Sequence, residues 1–179
     1  MPRTIYFDYN ATTPLNPGVR EAMLPFLGEI WGNPSSVHHV GRKARALLDD
    51  VRDRAAKFLG AKPSEIIFTS GGTEANNLAI FGTARLLKSK GKHLITSAVE
   101  HHAVLRCFDF LEKNEGFSVT RLPVNEEGRV SVADFIKAIR SDTVFASVMA
   151  ANNEIGTIQP IAELGAVWCE GGSPRRQLR

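Results

Sequence analysis

The sequence contains few cysteines, and they are not arranged as a metal or disulfide motif. Its two cysteines, Cys107 and Cys169, are far apart in the chain, and neither belongs to a Cys-x-x-Cys pair. This spacing excludes a disulfide-stapled small domain and a zinc-binding cysteine motif. It is the cysteine usage expected in a reducing compartment, and we therefore predict a cytoplasmic location.

Long apolar runs and a strong excess of one charge are also missing. No run approaches the roughly 20 apolar residues that cross a membrane, and the opening MPRTIYFDYNATTP has charges and a proline instead of an apolar stretch. The formal net charge is +3, and the last twelve residues, with three arginines and one glutamate, account for most of it. We expect a soluble protein with no membrane segment and no nucleic-acid-binding face.

What is present is an alternation of helical and strand patterns in a chain of 179 residues, 43% of them hydrophobic. Apolar residues recur with helical spacing over residues 42–59, and Gly60 follows where a helix-ending glycine belongs. Further strands are predicted at 65–70, 93–97, 117–122 and 143–149, and further helices at 73–88, 103–114 and 132–140. The alternation predicts an α/β fold, a three-layer sandwich with a mainly parallel sheet between helices.

A glycine-rich segment, TSGGTEANNLAI at residues 69–80, lies between a predicted strand and a predicted helix. Gly71 and Gly72 allow a tight turn and a close approach of backbone N–H groups to a ligand, and Ser70 or Thr73 can cap the helix. A helix N-terminus of this kind favours an anion such as phosphate. The spacing is neither G-x-G-x-x-G nor a Walker loop. An ordinary capped turn explains the local pattern equally well.

Two more polar clusters follow predicted strands, SAVEHH at residues 97–102 and ANNEIG at residues 151–156. The carboxyl ends of parallel strands share one sheet edge, so all three clusters are predicted to lie along that edge, where they could converge on one ligand. Each has a plainer explanation. His101 alone is more simply a partly buried histidine bonded to the backbone, and the asparagines can close a turn. A metal site is disfavoured because adjacent side chains point apart.

Five motifs in order carry a family resemblance: DYNATTP, GNPSS, TSGGTEANNLA, EHHAVL and NNEIG. Together they closely resemble the NifS-like cysteine desulfurases, which depend on pyridoxal 5′-phosphate (PLP) and form part of class V in the fold type I aminotransferase superfamily. The resemblance covers residues 5–167. It implies an arm at residues 1–18 that joins the small domain of the complete family, a partial PLP-binding large domain at 19–167, and a divergent, loosely packed tail at 168–179.

The resemblance also implies roles for four residues. The Gly72 backbone and the Thr73 hydroxyl and backbone would bind the cofactor phosphate. His101 would stack on the pyridine ring and assist proton transfer, and Asn153 would donate a hydrogen bond to the phenolic oxygen. The family's aspartate, Schiff-base lysine and catalytic cysteine have no match in this sequence. Cys107 is more simply a small core residue.

Members of the family convert L-cysteine to L-alanine and transfer the sulfur as an enzyme persulfide to an acceptor, such as an iron–sulfur scaffold or a transfer-RNA thiolation enzyme. They are homodimers. Because the match stops after residue 167, we expect a truncated chain that is inactive alone and binds PLP weakly and non-covalently. Two alternatives stay open: a non-catalytic homologue that binds PLP or a partner desulfurase, and another fold type I enzyme such as a selenocysteine lyase.

Overall fold

The computed structural model describes residues 5–170, which divide into two compact units, one ending at Phe68 and the next beginning at Thr69. The helices are α1 (Pro17–Met23), α2 (His39–Leu59), α3 (Gly72–Leu87), α4 (His102–Glu115), α5 (Val132–Ala138) and α6 (Ile161–Glu170); the strands are β1 (His93–Ser97), β2 (Ser118–Leu122) and β3 (Thr143–Ser147). The predicted domain boundaries after residues 18 and 167 do not coincide with this division and remain predictions. Within the described range, no helix has the length and apolar character needed to cross a bilayer.

The first unit is organised by α2, the long helix predicted from the apolar spacing. It begins three residues before the predicted start, where the His38 side chain accepts a hydrogen bond from the Gly41 N–H. It ends as predicted at Gly60, whose φ of 64° places it in the left-handed region that glycine favours. Gly41 is buried, and a Cβ there would collide with the carbonyl oxygen of Ser36. The glycine therefore lets α2 pack on the loop that carries the GNPSS motif.

The strand predicted at residues 65–70 is wrong. Pro63–Glu65 forms a short 3-10 turn, and residues 66–70 belong to no strand among the described residues. Ile66 has an extended backbone, with φ −89° and ψ 124°. A strand exists only where a neighbour accepts and donates its hydrogen bonds, and the described part of the chain supplies no such neighbour. The local sequence pattern could not reveal that the partner strand is missing from the described residues.

The second unit contains a three-stranded parallel sheet with the order β2-β1-β3. In the register with β2, His93 pairs with Ser118; in the register with β3, His93 pairs with Thr143, and an irregularity follows before Leu94. The prediction of β1 is confirmed at both ends. The strands β2 and β3 are confirmed with shorter bounds than predicted. The central strand β1 is fully buried along its length, as expected for a parallel strand with neighbours on both sides.

Helices cover both faces of this sheet, so the predicted three-layer α/β fold is confirmed. On one face, Leu94 packs in a core cluster with Phe108 of α4 and Ile80 of α3. On the other, Ile95 packs with Phe135 of α5 and with Leu164 of α6. Successive residues of a strand point to opposite faces, which is why neighbours in β1 belong to different clusters. Burial of each such side chain contributes about 1.5–3 kcal/mol to folding.

The last described helix extends beyond the end of the motif-bearing region. Residues 168–170, predicted as the start of a loosely packed tail, belong to α6, and the rest of that tail lies outside the described residues. The Trp168 ring packs near the Phe135 ring, with centroids 6.3 Å apart. Leu164, Val167 and Trp168 have i, i+3, i+4 spacing, and all three pack in the α5–α6 core cluster. This short apolar stripe explains why the helix continues.

Candidate functional site

A crevice is expected where β1 and β3 end side by side. From the end of β1 the chain passes to α4 on one face of the sheet, and from the end of β3 it passes to α6 on the opposite face. Adjacent strands whose connections leave toward opposite faces form a topological switch point, the usual ligand site of open α/β sheets. Two connections flank this point. The first runs from Ala98 to His101, and the second runs from Val148 to Pro160.

The N-terminus of α3 lies at the same edge of the sheet. The helix ends at Leu87 and β1 begins at His93, so the C-terminus of α3 is tied to the amino end of the strand. A helix joined to a strand by so short a connection runs back antiparallel to it. The amino end of α3, with its glycine-rich turn, therefore points toward the carboxyl edge.

The glycine-rich turn leaves backbone donors without acceptors. The N-cap residue is Gly71, which has no side-chain cap, so the predicted hydroxyl cap by Ser70 or Thr73 is wrong. Instead, the backbone N–H and the hydroxyl of Ser70 donate to Glu74 Oε2 at 2.7 and 2.6 Å, which lowers the pKa of that carboxyl. Within residues 5–170, the amides of Gly72, Thr73 and Glu74 find no acceptor. Three unpaired amides at the positive end of a helix dipole make a site for an anion.

The two glycines of this turn are not needed for its backbone shape. Gly71 is extended, with φ 165°, and Gly72 is the first residue of α3. Neither lies in the left-handed region, so the predicted tight turn does not explain the glycines. A Cβ built on either residue meets no atom within 4 Å. The space in front of these glycines is open, and the close-approach explanation remains.

His101 forms the N-cap of α4. Its Nδ1 accepts a hydrogen bond from the Ala103 N–H at 3.0 Å. The simple interpretation, a histidine bonded to backbone, is confirmed, although the residue is exposed where partial burial was expected. Because Nδ1 is the acceptor, the neutral ring carries its proton on Nε2. That second nitrogen has no hydrogen-bond partner among the described residues.

Asn152 closes a turn and joins the two connections. Its Oδ1 accepts hydrogen bonds from the N–H groups of Glu154 and Ile155 at 2.8 and 3.1 Å, which confirms the turn-closing interpretation. Its Nδ2 donates to the Val99 carbonyl oxygen at 3.0 Å. The neighbouring Asn153 is exposed, and its Nδ2 donates to Glu154 Oε1 at 3.0 Å. The second and third polar clusters are thus bonded to each other.

Glu100 is a buried carboxylate to which the sequence analysis, after disfavouring a metal site, assigned no role. Its Oε1 accepts hydrogen bonds from Ser97 Oγ at 2.8 Å and from the Met149 N–H at 2.6 Å. Burial raises the pKa of Glu100, and these two bonds oppose the rise. A charged residue three positions after the end of a buried strand was the available signal.

Gln159, in the second connection, bonds that connection to the segment before α5. No local sequence pattern marks this residue. Its Oε1 accepts from the Val130 N–H at 2.8 Å, and its Nε2 donates to the Gly128 carbonyl oxygen at 2.7 Å. The side chain is buried. Both partners precede it by about thirty residues, so sequence spacing alone could not reveal the contact.

Comparisons with known proteins agree on one family. A sequence profile of the family described as Aminotransferase class-V matches residues 5–172. The cysteine desulfurase IscS of Dictyoglomus turgidum (strain DSM 6724 / Z-1310) is 59% identical over 167 residues, which make up 93% of this chain and 42% of that protein.

Solved structures give the same result. A NifS-like protein matches with a TM-score of 0.89 at 39% identity, over 93% of this chain and 45% of that one. A structure described as SspA in complex with cysteine matches with a TM-score of 0.89 at 43% identity, over 96% of this chain and 49% of that one. The chain therefore spans less than half the length of the relatives it matches.

Proposed function

Since the chain belongs to the aminotransferase class-V family, we propose that it carries the phosphate-binding and ring-binding part of a PLP-dependent cysteine desulfurase. Such an enzyme converts L-cysteine to L-alanine and receives the sulfur as a persulfide. One observation carries the proposal: three amides at the start of α3 have no acceptor among residues 5–170, and the chain order puts that helix end at the sheet edge where His101 and Asn153 follow β1 and β3. The name of the Dictyoglomus relative and the cysteine bound to SspA support L-cysteine as the substrate.

The donors at the start of α3 fit the phosphate group of the cofactor. The free amides of Gly72, Thr73 and Glu74 and the Thr73 hydroxyl are all donors, and the space before the glycines is open. A dianionic phosphate accepts several such bonds and gains from the helix dipole. When bound, PLP supplies an electron sink for the bonds around the α-carbon of the amino acid.

His101 and Asn153 are proposed to hold the ring of the cofactor. The N-cap bond from Ala103 fixes the orientation of the His101 imidazole, so its face is available for stacking while Nε2 stays accessible. We assign proton transfer at the substrate to Nε2; to take a proton there, the ring must carry its own proton on Nδ1, so the hydrogen bond from the Ala103 N–H must first break. The Asn153 amide is exposed beside the crevice and can donate to the phenolic oxygen.

The remaining family functions are proposals about the whole enzyme. The sequence has no recognisable counterpart of the Schiff-base lysine or the sulfur-accepting cysteine, so we propose that these residues hold PLP weakly and without a covalent bond. We also propose a cytoplasmic homodimer that passes sulfur to an acceptor protein such as an iron–sulfur scaffold. Two free cysteines, one buried and one exposed, are consistent with a reducing compartment.

A binding titration of the 179-residue chain tests the proposal. Pyridoxine 5′-phosphate is the probe, because it lacks the aldehyde by which PLP reacts with exposed lysines, and pyridoxine without phosphate is the comparison ligand. We expect the phosphorylated ligand to bind at least about tenfold more tightly, since the charged hydrogen bonds are made by the phosphate. In Thr73→Val, which keeps the amides and the side-chain shape, this advantage should shrink. Equal binding of the two ligands by the unchanged chain contradicts the proposal.

A further inference from the structure

The two side chains proposed to hold the ring lie on different connections. His101 ends the connection that follows β1, and Asn153 lies in the connection that follows β3. Neither residue belongs to a strand, so the sheet hydrogen bonds do not set the distance between them. Whatever joins the two connections sets the width of the crevice.

Glu100 provides one of the hydrogen-bonded links between the two connections. Its side chain is 7% exposed, and its Oε1 accepts hydrogen bonds from the Ser97 hydroxyl at the end of β1 and from the Met149 N–H beyond the end of β3. One oxygen atom thus ties together two chain segments that are 49 residues apart in sequence. Glu100 is also the residue immediately before His101.

Burial of this carboxylate is costly, which argues for a specific use. No ion pair of Glu100 is found among the described residues, and burial raises the pKa of its carboxyl. A buried carboxylate without a cation must be held by hydrogen bonds, and here both come from the two connections. The charge therefore does not serve an ion pair within the described chain.

A second hydrogen bond links the same two connections. Asn152 Nδ2 donates to the Val99 carbonyl oxygen at 3.0 Å, so the residue before Glu100 is bonded to the residue before Asn153. Two hydrogen bonds in parallel between the same two loops restrict both their separation and their twist. These two bonds therefore help to keep the side chains of the two loops in a fixed relation.

We propose that Glu100 is a positioning residue that sets the separation of His101 and Asn153, and so the fit of the crevice to an aromatic ring. The inference rests on the proposed function, because it assigns the ring to this crevice. Glu100 acts through the loops and does not itself touch the ligand. The phosphate site at the start of α3 is held by other contacts, those of Ser70 with Glu74, and is independent of Glu100.

Two substitutions separate positioning from simple stabilisation. Both hydrogen bonds go to the same oxygen, so Glu100→Gln can keep both through its amide oxygen. Glu100→Ala removes both and leaves the buried Ser97 hydroxyl without its acceptor. The glutamine variant is therefore the matched control for the alanine variant.

Calorimetric titration of the 179-residue chain with pyridoxine 5′-phosphate and with inorganic phosphate tests the inference. In Glu100→Ala we expect pyridoxine 5′-phosphate to bind about tenfold more weakly, as for the loss of one well-made hydrogen bond, while inorganic phosphate changes less than about twofold. Glu100→Gln should restore the binding of both ligands. Amide hydrogen exchange at Met149 in the ligand-free chain should be faster in the alanine variant than in the glutamine variant.

Two outcomes overturn the inference on its own. One is an equal loss for both ligands in Glu100→Ala, as a purely structural role would produce. The other is an unchanged affinity for pyridoxine 5′-phosphate in that variant. A third outcome is visible in the unsubstituted chain: if it binds pyridoxine 5′-phosphate no better than phosphate, the proposed function fails, and the inference fails with it. Failure of the inference and failure of the function are thus distinguished.

Discussion

At the scale of single residues, the proposed site depends on groups that have no hydrogen-bond partner among residues 5–170. The amides of Gly72 and Thr73 are unpaired among residues 5–170, and so is the Nε2 atom of His101. Unpaired N–H groups at a helix N-terminus usually donate to a nearby side chain, to water or to a ligand. Ser70 was available as a cap, but it is bonded to Glu74 instead. The turn therefore keeps its amides free for an anion.

Gly72→Ala tests this conclusion. The chain has room for the extra methyl group and the backbone there is helical, so we expect the free energy of unfolding to stay within about 0.5 kcal/mol. Inorganic phosphate should bind about tenfold more weakly, because the Cβ occupies the open space in front of the amides. Binding is measured by calorimetry and stability by urea denaturation.

Gly82→Ala provides the control for this substitution. Gly82 lies inside α3, and a Cβ there also meets open space. Alanine at this position should stabilise the helix by about 0.5–1 kcal/mol and leave phosphate binding unchanged. Unaltered phosphate affinity in Gly72→Ala would remove the close-approach explanation for the glycine.

At the scale of elements, a buried histidine in the central strand contacts both neighbouring strands. His93 Nδ1 lies 2.7 Å from Thr143 Oγ1 of β3, and its Nε2 lies 2.8 Å from Thr120 Oγ1 of β2. The ring therefore bridges from the central strand to both neighbours. Burial lowers the pKa of His93, and the nearby charge of Arg140 lowers it further.

This arrangement predicts a loss of stability in acid. The pKa of His93 in the folded chain is below that of an unfolded histidine, about 6.5, so below that pH the unfolded chain binds the proton first. The contribution of His93 is complete above about pH 6.5 and is lost as the pH falls toward the lower, folded pKa. Urea denaturation at pH 7.5 and pH 5.5 measures it, with His93→Gln as the non-titrating comparison. If both proteins lose the same stability between these pH values, His93 is not the titrating group.

The sequence correctly predicted the elements that are determined by residues within the element itself. The helix at residues 42–59 has its own apolar stripe and a terminal glycine, so its end was predicted correctly, and β1 was predicted at both ends from its apolar run. The segment at residues 66–70 has the residues of a strand, but pairing is a property of two segments. Glu100 and Gln159 were missed for the same reason, since their hydrogen-bond partners are brought near only by the fold.

At the scale of the whole molecule, the buried core is unevenly distributed. Among residues 5–170, Ala56 is the buried apolar side chain of the first unit, and the other buried apolar side chains lie in the second. The first unit instead exposes large apolar side chains, among them Phe7 at 90% and Phe58 at 89%. Exposed apolar groups of this size mark surfaces that other chains or further elements cover. The second unit should therefore supply most of the cooperative stability of the described chain.

A matched pair of phenylalanine substitutions tests this distribution. Phe135 is buried between the sheet and α6, so Phe135→Ala should lower the free energy of unfolding by about 3–5 kcal/mol. Phe58 is at the exposed end of α2, so Phe58→Ala should change it by less than about 0.5 kcal/mol. Urea denaturation followed by circular dichroism measures both. If Phe58→Ala costs as much as Phe135→Ala, then the Phe58 ring is covered in solution, and self-association through the first unit becomes the explanation. Sedimentation of the two variants at several concentrations then decides the matter, because a covered Phe58 makes association weaker in Phe58→Ala alone.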